Sequence, residues 1–564
     1  MSALHAYQVM AQAFLRENVN TCFALLGDAN MNWATALANG GCEFVYVRDE
    51  HCAVAAAMSW SRITSKVGIA TVTCGPGLTQ ILTALPAAVR ANIPLLIFAG
   101  EAPQKARWYN QAIEQRPFIE ACGAIYKQIH NLDRACTDIR DAFLTAETNQ
   151  CPVVIGVPLD LQSETYAVTP QFPPPSATLL KPKVIDKPDP DTLSTIANAI
   201  VKSKKPVVMA GRGAYLANAK DACIALADYT GALLATSLPA RGLFREHPFS
   251  IGIAGGFSTD IARETLQQAD LIIAVGIRLA HHNSDGGTLF NADNVIHIDI
   301  APRQISQGRT ASAIQLKADA RLGVEAVLKK VVEQREAVAD EHKSPANSEH
   351  SAWRTEQLKL QISSAPADSH SFPAVAGLHD PREVVTALDK AIPDSWTLVN
   401  SSGHCSYFFA QMPNRAIEHF LTIREFGAIG NGIAFAIGAA LARPEHPVVL
   451  FDGDGSLLMH IQELETIVRH KLNILIVVLN DGAYGSEIHK LRAEGLSDEG
   501  AVFGRKDFAR IANGFDVTGV RISDLGTLKA QINTFENNKK ATLWDFHVSD
   551  QVVSPVVRRS HMKK

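Results

Sequence analysis

Two acidic clusters in the last third of the chain have the residue types and the spacing of a site for a divalent cation and a phosphate. Gly453–Gly455 reads GDG, Asn480–Gly482 reads NDG, and 24 residues separate them. The runs PVVLF and NILIVVLN precede the two clusters, and such apolar runs are typical of buried parallel strands. The segment HIQELETIVRHKL between them predicts an amphipathic helix. We therefore expect a βαβ unit with both clusters at the carboxyl ends of its strands, where open α/β sheets bind ligands.

The clusters offer the ligands that Mg²⁺ prefers. Asp454 and Asp481 supply carboxylate oxygens, and the backbone carbonyl of Ala483 offers a third oxygen. Mg²⁺ usually completes its octahedron with phosphate oxygens and water. The glycines of the first cluster let the backbone approach a phosphate closely, and a helix beginning just after Gly455 would direct its free N–H groups at the anion. Two tight turns that happen to contain Asp and Gly are the alternative, and the spacing disfavours it.

The GDG cluster followed by an Asn-containing cluster resembles the signature of the thiamine-diphosphate-dependent enzymes. That family includes acetolactate synthase, pyruvate oxidase, pyruvate decarboxylase and benzoylformate decarboxylase. The resemblance covers essentially the whole chain and implies a first domain that binds the aminopyrimidine and a last domain that binds the diphosphate and Mg²⁺. One position departs from the family pattern, because the second Asn of the pair is Asp481 here. Asp still supplies an oxygen ligand, so we expect metal binding to be retained.

The segment YVRDEHCAVAAAMSWSR resembles the strand–Glu–helix element of the family and places Glu50 at the start of a helix. In the family this carboxyl group shares a proton with the pyrimidine N1′ and favours the imino tautomer, whose 4′-nitrogen deprotonates the thiazolium C2 to a nucleophilic ylide. The protein supplies mainly orientation and electrostatics. A Glu at a helix N-terminus also fits a residue that complements the helix dipole. His51, the next residue, is expected to face elsewhere.

Two further segments resemble parts of the family that contact the cofactor. Cys74–Thr79 reads CGPGLT and resembles a tight turn that lines the pyrimidine pocket, although a purely structural turn fits the same residues. Phe426–Gly430 reads FGAIG, and Ile429 matches the bulky apolar residue that holds the two cofactor rings in a bent conformation. An ordinary core residue is the alternative for Ile429. The cofactor-binding residues that the resemblance implies are Glu50, Gly75, Pro76, Ile429, Gly453, Gly455, Ser456 and Tyr484.

Two more carboxyl groups and two histidines are candidates for the reacting centre. Asp28, in LGDAN, and Glu487, after the metal cluster, resemble acidic residues of pyruvate and indolepyruvate decarboxylases. With Glu50 they would surround the thiazolium C2, where clustered carboxyls raise one another's pKa and stay protonated near neutral pH. His404, in SSGHCSYFF, resembles the active-site His or Gln position, and His489 lies near Glu487. Helix capping, solvent exposure and packing are the structural alternatives for these residues.

The choice between two reactions depends on the first domain. The decarboxylases carry an adjacent His-His pair there, whereas the corresponding region ARWYNQAIEQRPF has Gln111, Glu114 and Gln115, as in the acetolactate-synthase-like branch. We therefore predict a thiamine-diphosphate- and Mg²⁺-dependent carboligase/lyase that acts on a 2-oxo acid or related ketone through an enamine. A non-oxidative 2-oxo acid decarboxylase that releases an aldehyde is the alternative, which Asp28 and Glu487 favour.

Two other functions are less well supported by the residues. An FAD-linked oxidase would use the middle domain, where some relatives bind FAD, but the Gly211–Gly213 segment GRG is too weak a signal to predict FAD. A cofactor-free regulatory relative is disfavoured by the intact Glu50 and by the two aspartates. In the family each active site is assembled across two subunits, so the resemblance implies a homodimer at minimum and commonly a homotetramer.

Three blocks of alternating apolar runs and helix-period segments must position these residues. They predict three α/β domains, each with a mostly parallel sheet flanked by helices, over residues 1–168, 192–335 and 379–552. The predicted strands are FALLG, FVYVR, GIATVTCGPG, PLLIFAG, PVVIGVPLD, PVVMAGRGA, ALLATS, LIIAVG, VIHIDI, WTLVN, PVVLFDGDGS, NILIVVLNDG and ATLWDFHV. A Pro-rich linker at 170–191 and a polar segment at 336–378 separate the blocks, and the basic tail VVRRSHMKK is expected to fray.

Composition sets the remaining limits. The 564 residues are 47% hydrophobic and 20% charged with a net charge of −4, which is ordinary for a globular protein and untypical of a nucleic-acid binder. Nine cysteines without a CxxC pair indicate neither a disulfide framework nor a zinc site. The N-terminal segment does not resemble a signal peptide, and no apolar stretch approaches the roughly 20 residues of a membrane span. We predict a cytoplasmic enzyme that acts on small molecules, without nucleic-acid or membrane partners.

Overall fold

The structure, a computed structural model, describes residues 4–166, 170–180, 188–342, 353–413 and 415–562. It contains three six-stranded sheets and one two-stranded hairpin. In the three large sheets the neighbouring strands with a defined register run parallel. The predicted α/β class is therefore confirmed. The chain divides into two compact units, one of residues 1–182, 375–406 and 421–550 and one of residues 183–374, 407–420 and 551–564.

The first sheet belongs to the first unit and has the strand order β2-β1-β3-β4-β6-β5. Its strands are β1 (Thr21–Ala24), β2 (Glu43–Tyr46), β3 (Gly68–Val72), β4 (Leu95–Glu101), β5 (Ile125–Gln128) and β6 (Pro152–Pro158). The helices of this part are α1 (Ala6–Arg16), α2 (Met31–Asn39), α3 (Glu50–Thr64), α4 (Pro76–Gln80), α5 (Ala84–Ala91), α6 (Arg116–Ala121), α7 (Leu132–Asn149) and α8 (Leu159–Ser163), followed by a 3₁₀ helix at Ser176–Leu179. Strands β1, β3 and β6 are buried along their whole length, which explains their apolar sequences.

The second sheet belongs to the second unit and has the strand order β14-β11-β10-β7-β8-β9. Its strands are β7 (Pro206–Ala210), β8 (Leu233–Thr236), β9 (Ser250–Ile253), β10 (Leu271–Val275), β11 (Val295–Asp299) and β14 (Ile314–Lys317), and the hairpin pairs β12 (Ile305–Ser306) with β13 (Arg309–Thr310). The helices of this part are α9 (Pro190–Lys202), α10 (Arg212–Leu216), α11 (Lys220–Thr230), α12 (Asp260–Gln268), α13 (Ala320–His342) and α14 (Glu356–Ser364). Short 3₁₀ helices lie at Leu238–Ala240, His281–Asn283, Asp285–Gly287 and Ala292–Asn294.

The third sheet has the strand order β16-β15-β17-β18-β20-β19. Its strands are β15 (Thr397–Asn400), β16 (Phe420–Thr422), β17 (Val448–Gly453), β18 (Ile474–Asn480), β19 (Thr518–Arg521) and β20 (Thr542–His547). The remaining helices are α15 (Pro381–Ala391), α16 (Cys405–Ala410), α17 (Gly432–Ala442), α18 (Asp454–Met459), α19 (Glu463–Arg469), α20 (Gly485–Ala493), α21 (Phe508–Gly514), α22 (Leu528–Asn538) and α23 (Pro555–His561). Short 3₁₀ helices lie at Ile417–His419, Glu499–Ala501 and Leu525–Thr527.

All the strands predicted from apolar runs are present. The large sheets also contain five strands that the sequence did not predict, namely β5, β9, β14, β16 and β19. Each of these five lies at an edge of its sheet. Four of them are only partly buried, so their sequences lack the continuous apolar run that a central strand shows.

Helix α13 continues to His342, into the segment expected to be polar. Two local predictions were wrong. Helix α19 covers only part of the predicted helix between the acidic clusters. The basic tail does not fray throughout, because α23 buries Val557 and Arg558 Nη2 lies 2.6 Å from Asp368 Oδ1. Residues 181–187 of the Pro-rich linker lie outside the described residues. Among the helices of the described ranges, none has both the length and the apolarity to cross a membrane.

Helices α3 and α17 make the most extensive helix–helix contact of the first unit. Residues 52–61 of α3 and 432–440 of α17 are buried, and both stretches consist largely of small residues. A Cβ atom on Gly438 would lie 2.1 Å from the backbone oxygen of Ala56 and 2.2 Å from Ser59 Oγ. The two backbones can therefore approach this closely only because residue 438 has no side chain.

Substitution Gly438→Ala should lower the apparent unfolding temperature, because the new methyl group overlaps the Ala56 carbonyl. Overpacking of this kind typically costs about 1–3 kcal/mol. Thermal scans at one scan rate measure the effect. Gly514→Ala is the matched control, since Gly514 also lies in a helix and a Cβ there would contact nothing within 4 Å. Equal apparent unfolding temperatures for the two variants would show that the α3–α17 packing accommodates the new methyl group without loss of stability.

Candidate active site

The loops that follow β1, β2 and β3 meet at one edge of the first sheet. The backbone N–H of Ala29, the residue after Asp28, donates a hydrogen bond to Thr73 Oγ1 at 3.3 Å. A Cβ on Gly77 would lie 2.8 Å from Thr73 Cγ2 and 3.0 Å from Glu50 Oε1. Thr73 therefore lies between the Asp28 loop and the GPG turn, and the turn lies directly against the Glu50 carboxyl group.

Glu50 is the first residue of α3 but does not cap it. The N-cap residue is Asp49, whose Oδ1 accepts the backbone N–H of His51 at 2.8 Å. Burial raises the pKa of the half-buried Glu50 carboxyl, and the neighbouring Asp49 charge acts in the same direction. A carboxyl group with a raised pKa exchanges a proton more readily near neutral pH. Capping of α3 was the alternative to a catalytic role for Glu50. In the structure Asp49, and not Glu50, caps the helix.

The GPG turn is held by Gln111 and Gln115. Gly75 has φ +62°, and a Cβ there would lie 2.3 Å from the backbone oxygen of Gln111. The Gly75 N–H donates to Gln115 Oε1 at 3.1 Å, and Gln115 Nε2 donates to the Gly100 carbonyl at 3.0 Å. Pro76 begins α4 immediately after the turn. Gln115 is thus a buried part of the turn's framework rather than a side chain that faces a substrate.

The metal candidates Asp454 and Asp481 come together at the carboxyl ends of β17 and β18. Asp454 Oδ2 accepts the Gly482 N–H at 2.7 Å, and Asp454 Oδ1 accepts the Gly455 N–H at 2.8 Å. Asp481 Oδ1 accepts the Ala483 N–H at 3.1 Å. Burial and the charge of Asp481 raise the pKa of Asp454, and burial raises the pKa of Asp481. Two adjacent buried carboxyl groups are the environment that a divalent cation stabilises.

Two carboxylates alone do not complete a metal site. Within the described ranges, no group of three or more His, Cys, Asp or Glu side chains is arranged to hold a metal ion. The donor set therefore fits a cation that takes its remaining oxygens from a backbone carbonyl, a phosphate and water, as Mg²⁺ does. Helix α18 begins at Asp454, one residue before Gly455, so the expected helix start after Gly455 was placed slightly too late.

The predicted diphosphate residues surround this metal candidate. A Cβ on Gly455 would lie 2.8 Å from the ring of Tyr484, so the ring covers the glycine. Ser456 Oγ accepts the Gly430 N–H at 2.9 Å. That hydrogen bond joins the start of α18 to the segment that carries Ile429, whose Cγ2 lies 3.7 Å from the position of a Cβ on Gly403.

The two candidate histidines are neighbours. The rings of His404 and His489 lie 4.7 Å apart between centroids, and a Cβ on Gly485 would lie 3.1 Å from His404 Nδ1. Burial lowers the pKa of His489 to about 4. Burial, together with the His489 ring, also lowers the pKa of His404. Both rings are therefore neutral at neutral pH, which suits hydrogen bonding to a substrate but not its attraction by charge.

The remaining acidic candidates are exposed. Asp28 lies at the surface of its loop, and Glu487 lies on the outer face of α20 with Lys490 Nζ 3.5 Å from its Oε1. Among the residues that the structure describes, no hydrogen bond or ion pair joins Glu50 to Asp28, Glu487 or Asp454. Glu50 and Asp28 follow strands of the first sheet, whereas Asp454 and Glu487 follow strands of the third sheet, so the Glu50 edge and the Asp454 edge are treated as two half-sites. The predicted arrangement of Glu50, Asp28 and Glu487 around one reacting centre stays a prediction.

Sequence reasoning missed a buried cluster beside Glu50. His51 is 6% exposed, and its Nε2 bonds to Asn431 Oδ1 while its ring stacks on that of His460. His51 does face away from Glu50, as expected, but its partners belong to the segment after Ile429. The pattern DEH gave no signal of these contacts, because they join residues about 380 positions apart. The role of Asp49 could have been found, since Asp is a preferred N-cap residue.

Three family models match the chain in the order of its sheets. They are described as the N-terminal TPP binding domain, the central domain and the C-terminal TPP binding domain of thiamine pyrophosphate enzymes, where TPP is another name for thiamine diphosphate. They match residues 4–118, 193–329 and 401–546. The two TPP-binding models cover both half-sites described above.

Curated relatives agree over nearly the whole chain. The acetolactate synthase isozyme 2 large subunit of Escherichia coli (strain K12) is 27% identical over 97% of this chain and 95% of that protein. A probable acetolactate synthase large subunit of Methanococcus aeolicus is 25% identical over 97% of this chain and 92% of that protein. The chloroplastic acetolactate synthase of Arabidopsis thaliana is 28% identical over 85% of this chain and 70% of that protein.

The chain belongs to the thiamine pyrophosphate enzyme family. It is an enzyme that uses thiamine diphosphate to form or cleave carbon–carbon bonds, and its relatives favour the acetolactate-synthase-like carboligase over the simple decarboxylase. The family, the enzyme class and the organic cofactor predicted from the sequence are therefore confirmed. The individual site residues and Mg²⁺ remain predictions.

Cofactor binding should release protons, because a cation can bind the Asp454–Asp481 pair only after the pair ionises. With Mg²⁺ and thiamine diphosphate at pH 7, we expect release of about one proton per site. Apparent affinity should fall as the pH is lowered, since the protonated pair competes with the metal. Calorimetric titrations in two buffers of different ionisation enthalpy measure the release.

Asp454→Ala should abolish both the proton release and the Mg²⁺-dependent binding. Asp516→Asn is the control, because Asp516 is exposed and its φ of +62° is one that Asn adopts readily. Equal heats in the two buffers for the unaltered protein, or unchanged cofactor affinity in Asp454→Ala, would exclude the metal assignment.

Proposed function

We propose that the protein removes CO₂ from a 2-oxo acid and joins the remaining acyl unit to a second carbonyl compound, as the names of its acetolactate synthase relatives suggest. The observation that carries the proposal is the placement of Glu50. Its carboxyl group is half-buried with a raised pKa, lies against the GPG turn, and is not needed to cap α3. That is the placement required of a group that holds a proton at the pyrimidine N1′.

Thiamine diphosphate, when bound, supplies a carbon nucleophile and an electron sink in its thiazolium ring. The GPG turn with Gly75 and Pro76 would line the pocket for the pyrimidine, and Ile429 would support the bend between the rings. Mg²⁺ would be held by Asp454, Asp481 and the Ala483 carbonyl. The diphosphate would lie on Gly453, Gly455 and Ser456 beneath Tyr484.

The substrate would be contacted by Asp28, Glu487 and His404. Both carboxyl groups are exposed, Asp28 in the loop after β1 and Glu487 on the helix that follows Asp481, so a second chain would be needed to bring Asp28 to the Asp454 edge. His404 lies next to the loop that follows Asp481 and is neutral, so it would donate or accept a hydrogen bond at the reacting carbonyl. His489 would orient the His404 ring.

Exposed apolar side chains at both half-sites support a homodimer. At the edge of the first sheet Leu26, Met31 and Trp108 are 41%, 44% and 80% exposed, and at the edge of the third sheet Phe426 and Met459 are 38% and 49% exposed. Clustered apolar exposure marks interaction surfaces. We infer that the Glu50 edge of one chain faces the Asp454 edge of its partner, with a homotetramer as the larger assembly.

Three further predictions complete the proposal. The domains would span residues 1–168, 192–335 and 379–552, the substrates would be small molecules, and the location would be cytoplasmic. FAD is not part of the proposal, because the GRG segment alone supports it too weakly. A non-oxidative decarboxylase remains the second candidate, favoured by the surface positions of Asp28 and Glu487 beside the half-sites.

Product identification tests the function directly. The purified protein would be incubated with thiamine diphosphate, Mg²⁺ and pyruvate or a small panel of 2-oxo acids, and NMR and mass spectrometry would follow CO₂ and every carbon product. We expect acyloins or acetohydroxy acids. Free aldehyde alone would identify the decarboxylase, and absence of CO₂ from every acid would contradict a 2-oxo acid donor.

Glu50→Gln should slow exchange of the cofactor C2 proton by about 10²–10⁴-fold, the range typical of a lost proton-transfer group. Cofactor affinity should change little, because the diphosphate half-site is untouched. Deuterium exchange into bound cofactor, quenched in acid and read by NMR, measures the rate. Glu536→Gln is the matched control, since Glu536 is an exposed glutamate on α22, outside the segments proposed to bind the cofactor. Exchange as fast in Glu50→Gln as in the control would refute the role of Glu50.

A further inference from the structure

A buried polar cluster joins the start of α3 to the start of α17. His51, Asn431 and His460 are 6%, 3% and 9% exposed. His51 Nε2 bonds to Asn431 Oδ1, and the rings of His51 and His460 stack with centroids 4.8 Å apart and an interplanar angle of 5°. His460 Nδ1 lies 3.0 Å from the Gly430 carbonyl oxygen. None of these three side chains belongs to the cofactor-binding set proposed above.

The hydrogen bonds define the protonation of both rings. Amide and carbonyl oxygens only accept, so His51 carries its proton on Nε2 and His460 on Nδ1. Burial lowers the pKa of His51 to about 4, and the His460 ring acts in the same direction. The neutral His51 ring therefore has one donor, which is used on Asn431, and the Nδ1 atom of His460 bonds to the Gly430 carbonyl.

The segment that carries Ile429 is held at Gly430 and Asn431, the two residues after Ile429. Gly430 has φ +88°, donates its N–H to Ser456 Oγ at 2.9 Å, and offers its carbonyl to His460. A Cβ on Gly430 would lie 3.0 Å from the Nδ1 atom of His460. Asn431, the next residue, is bonded through its side chain to His51. The two histidines therefore hold the two residues that directly follow Ile429.

Helices α3 and α5 contact the residues that precede Ile429 in the chain. Arg62 Nη2 lies 3.8 Å from Glu425 Oε1, and the guanidinium of Arg90 lies 4.7 Å from the centroid of the Phe426 ring. Arg62 is on α3 and Arg90 is on α5. Residues of the first sheet's helices thus contact the Ile429 segment both before and after Ile429.

We propose that His51 is a positioning residue that acts through Asn431, together with His460, to fix the backbone on which Ile429 supports the bent cofactor. The inference rests on the proposed function, because the role of Ile429 is part of that function. It adds that two adjacent residues act on the cofactors of two different chains, which the proposed function does not include. The first turn of α3 would serve two active sites, with Glu50 facing the partner's cofactor and His51 holding Ile429 for the cofactor of its own chain.

The first test needs no cofactor. His51→Leu in the cofactor-free protein should speed amide hydrogen exchange in the peptide covering residues 424–432 by roughly tenfold or more, because Asn431 loses a buried partner. His51→Gln should restore slow exchange, since its amide nitrogen can still donate to Asn431. His460→Phe is a second variant that keeps the stacked ring but removes the donor to Gly430. Unchanged exchange in both His51→Leu and His460→Phe would overturn the proposal.

The second test separates positioning from binding. In His51→Leu, the turnover number and the exchange rate of the cofactor C2 proton should fall by roughly tenfold, with a cofactor Kd within about threefold of the original value. His51→Gln should recover most of the rate. A Kd that weakens as much as the rate falls would indicate a merely structural residue. If the unaltered protein fails to exchange the C2 proton, the proposed function is wrong, whereas the amide exchange above still decides whether the cluster holds the segment.

The third test asks which active site His51 serves. Chains carrying His51→Leu and chains carrying Glu50→Gln would be co-expressed with different tags, and the mixed oligomers would be isolated through both tags. If His51 acts on its own chain's Ile429 and Glu50 on the partner's cofactor, each mixed dimer keeps one intact site and regains activity. If His51 acts through the adjacent Glu50, no intact site remains.

A control mixture shows whether mixed oligomers of this protein can regain activity at all. Mixed oligomers of Glu50→Gln with Asp454→Ala chains should also regain activity, because one site then combines an intact Glu50 with an intact metal pair. Recovery in this control without recovery in the His51→Leu mixture would overturn the proposal. No recovery in the control would refute the assembly of each site from two chains, and with it the division of the α3 turn between two sites.

Discussion

The packing of α3 on α17 is the constraint on which the arrangement of the half-sites depends. Helix backbones can approach to the distance seen at Gly438 only where no side chain intervenes, and the small residues of both helices allow it over several turns. Because Glu50 and His51 lie on the first turn of α3, and Asn431 precedes α17, this approach brings the two turns together. The residue proposed to activate the cofactor is thereby next to the segment proposed to shape it.

Burial of carboxyl groups gives the half-sites their chemistry. Removing a carboxylate from water disfavours its charged form, and the effect raises the pKa of Glu50, Asp454 and Asp481. The same effect serves different ends at the two edges. At Glu50 it favours a group that exchanges a proton near neutral pH. At the aspartate pair it would favour the binding of a cation, which stabilises the charged form. The folded chain is therefore prepared for its ligands before they bind.

The central strands and the chemical clusters were predictable because their signals are local. A strand buried on both faces is largely apolar. A turn that holds a phosphate through Mg²⁺ needs glycine for close backbone approach and acidic residues for the cation within a few positions. The edge strands β5, β9, β14 and β19 lack that signal, because solvent on one side permits polar residues. The helix between the acidic clusters was predicted too long for a related reason, since periodic apolar residues can also be buried by a bent segment.

The sequence by itself determined the family and the α/β class, and it proposed the residues for the metal, diphosphate and pyrimidine, because each of these signals depends on neighbouring residues along the chain. Only the tertiary structure decided that Asp49 caps α3, that Gln115 holds the GPG turn, and that His51 contacts Asn431. Those roles depend on which side chains meet across elements distant in sequence. The physical reason is that hydrogen-bond partners and burial are set by packing, and packing is a property of the whole fold.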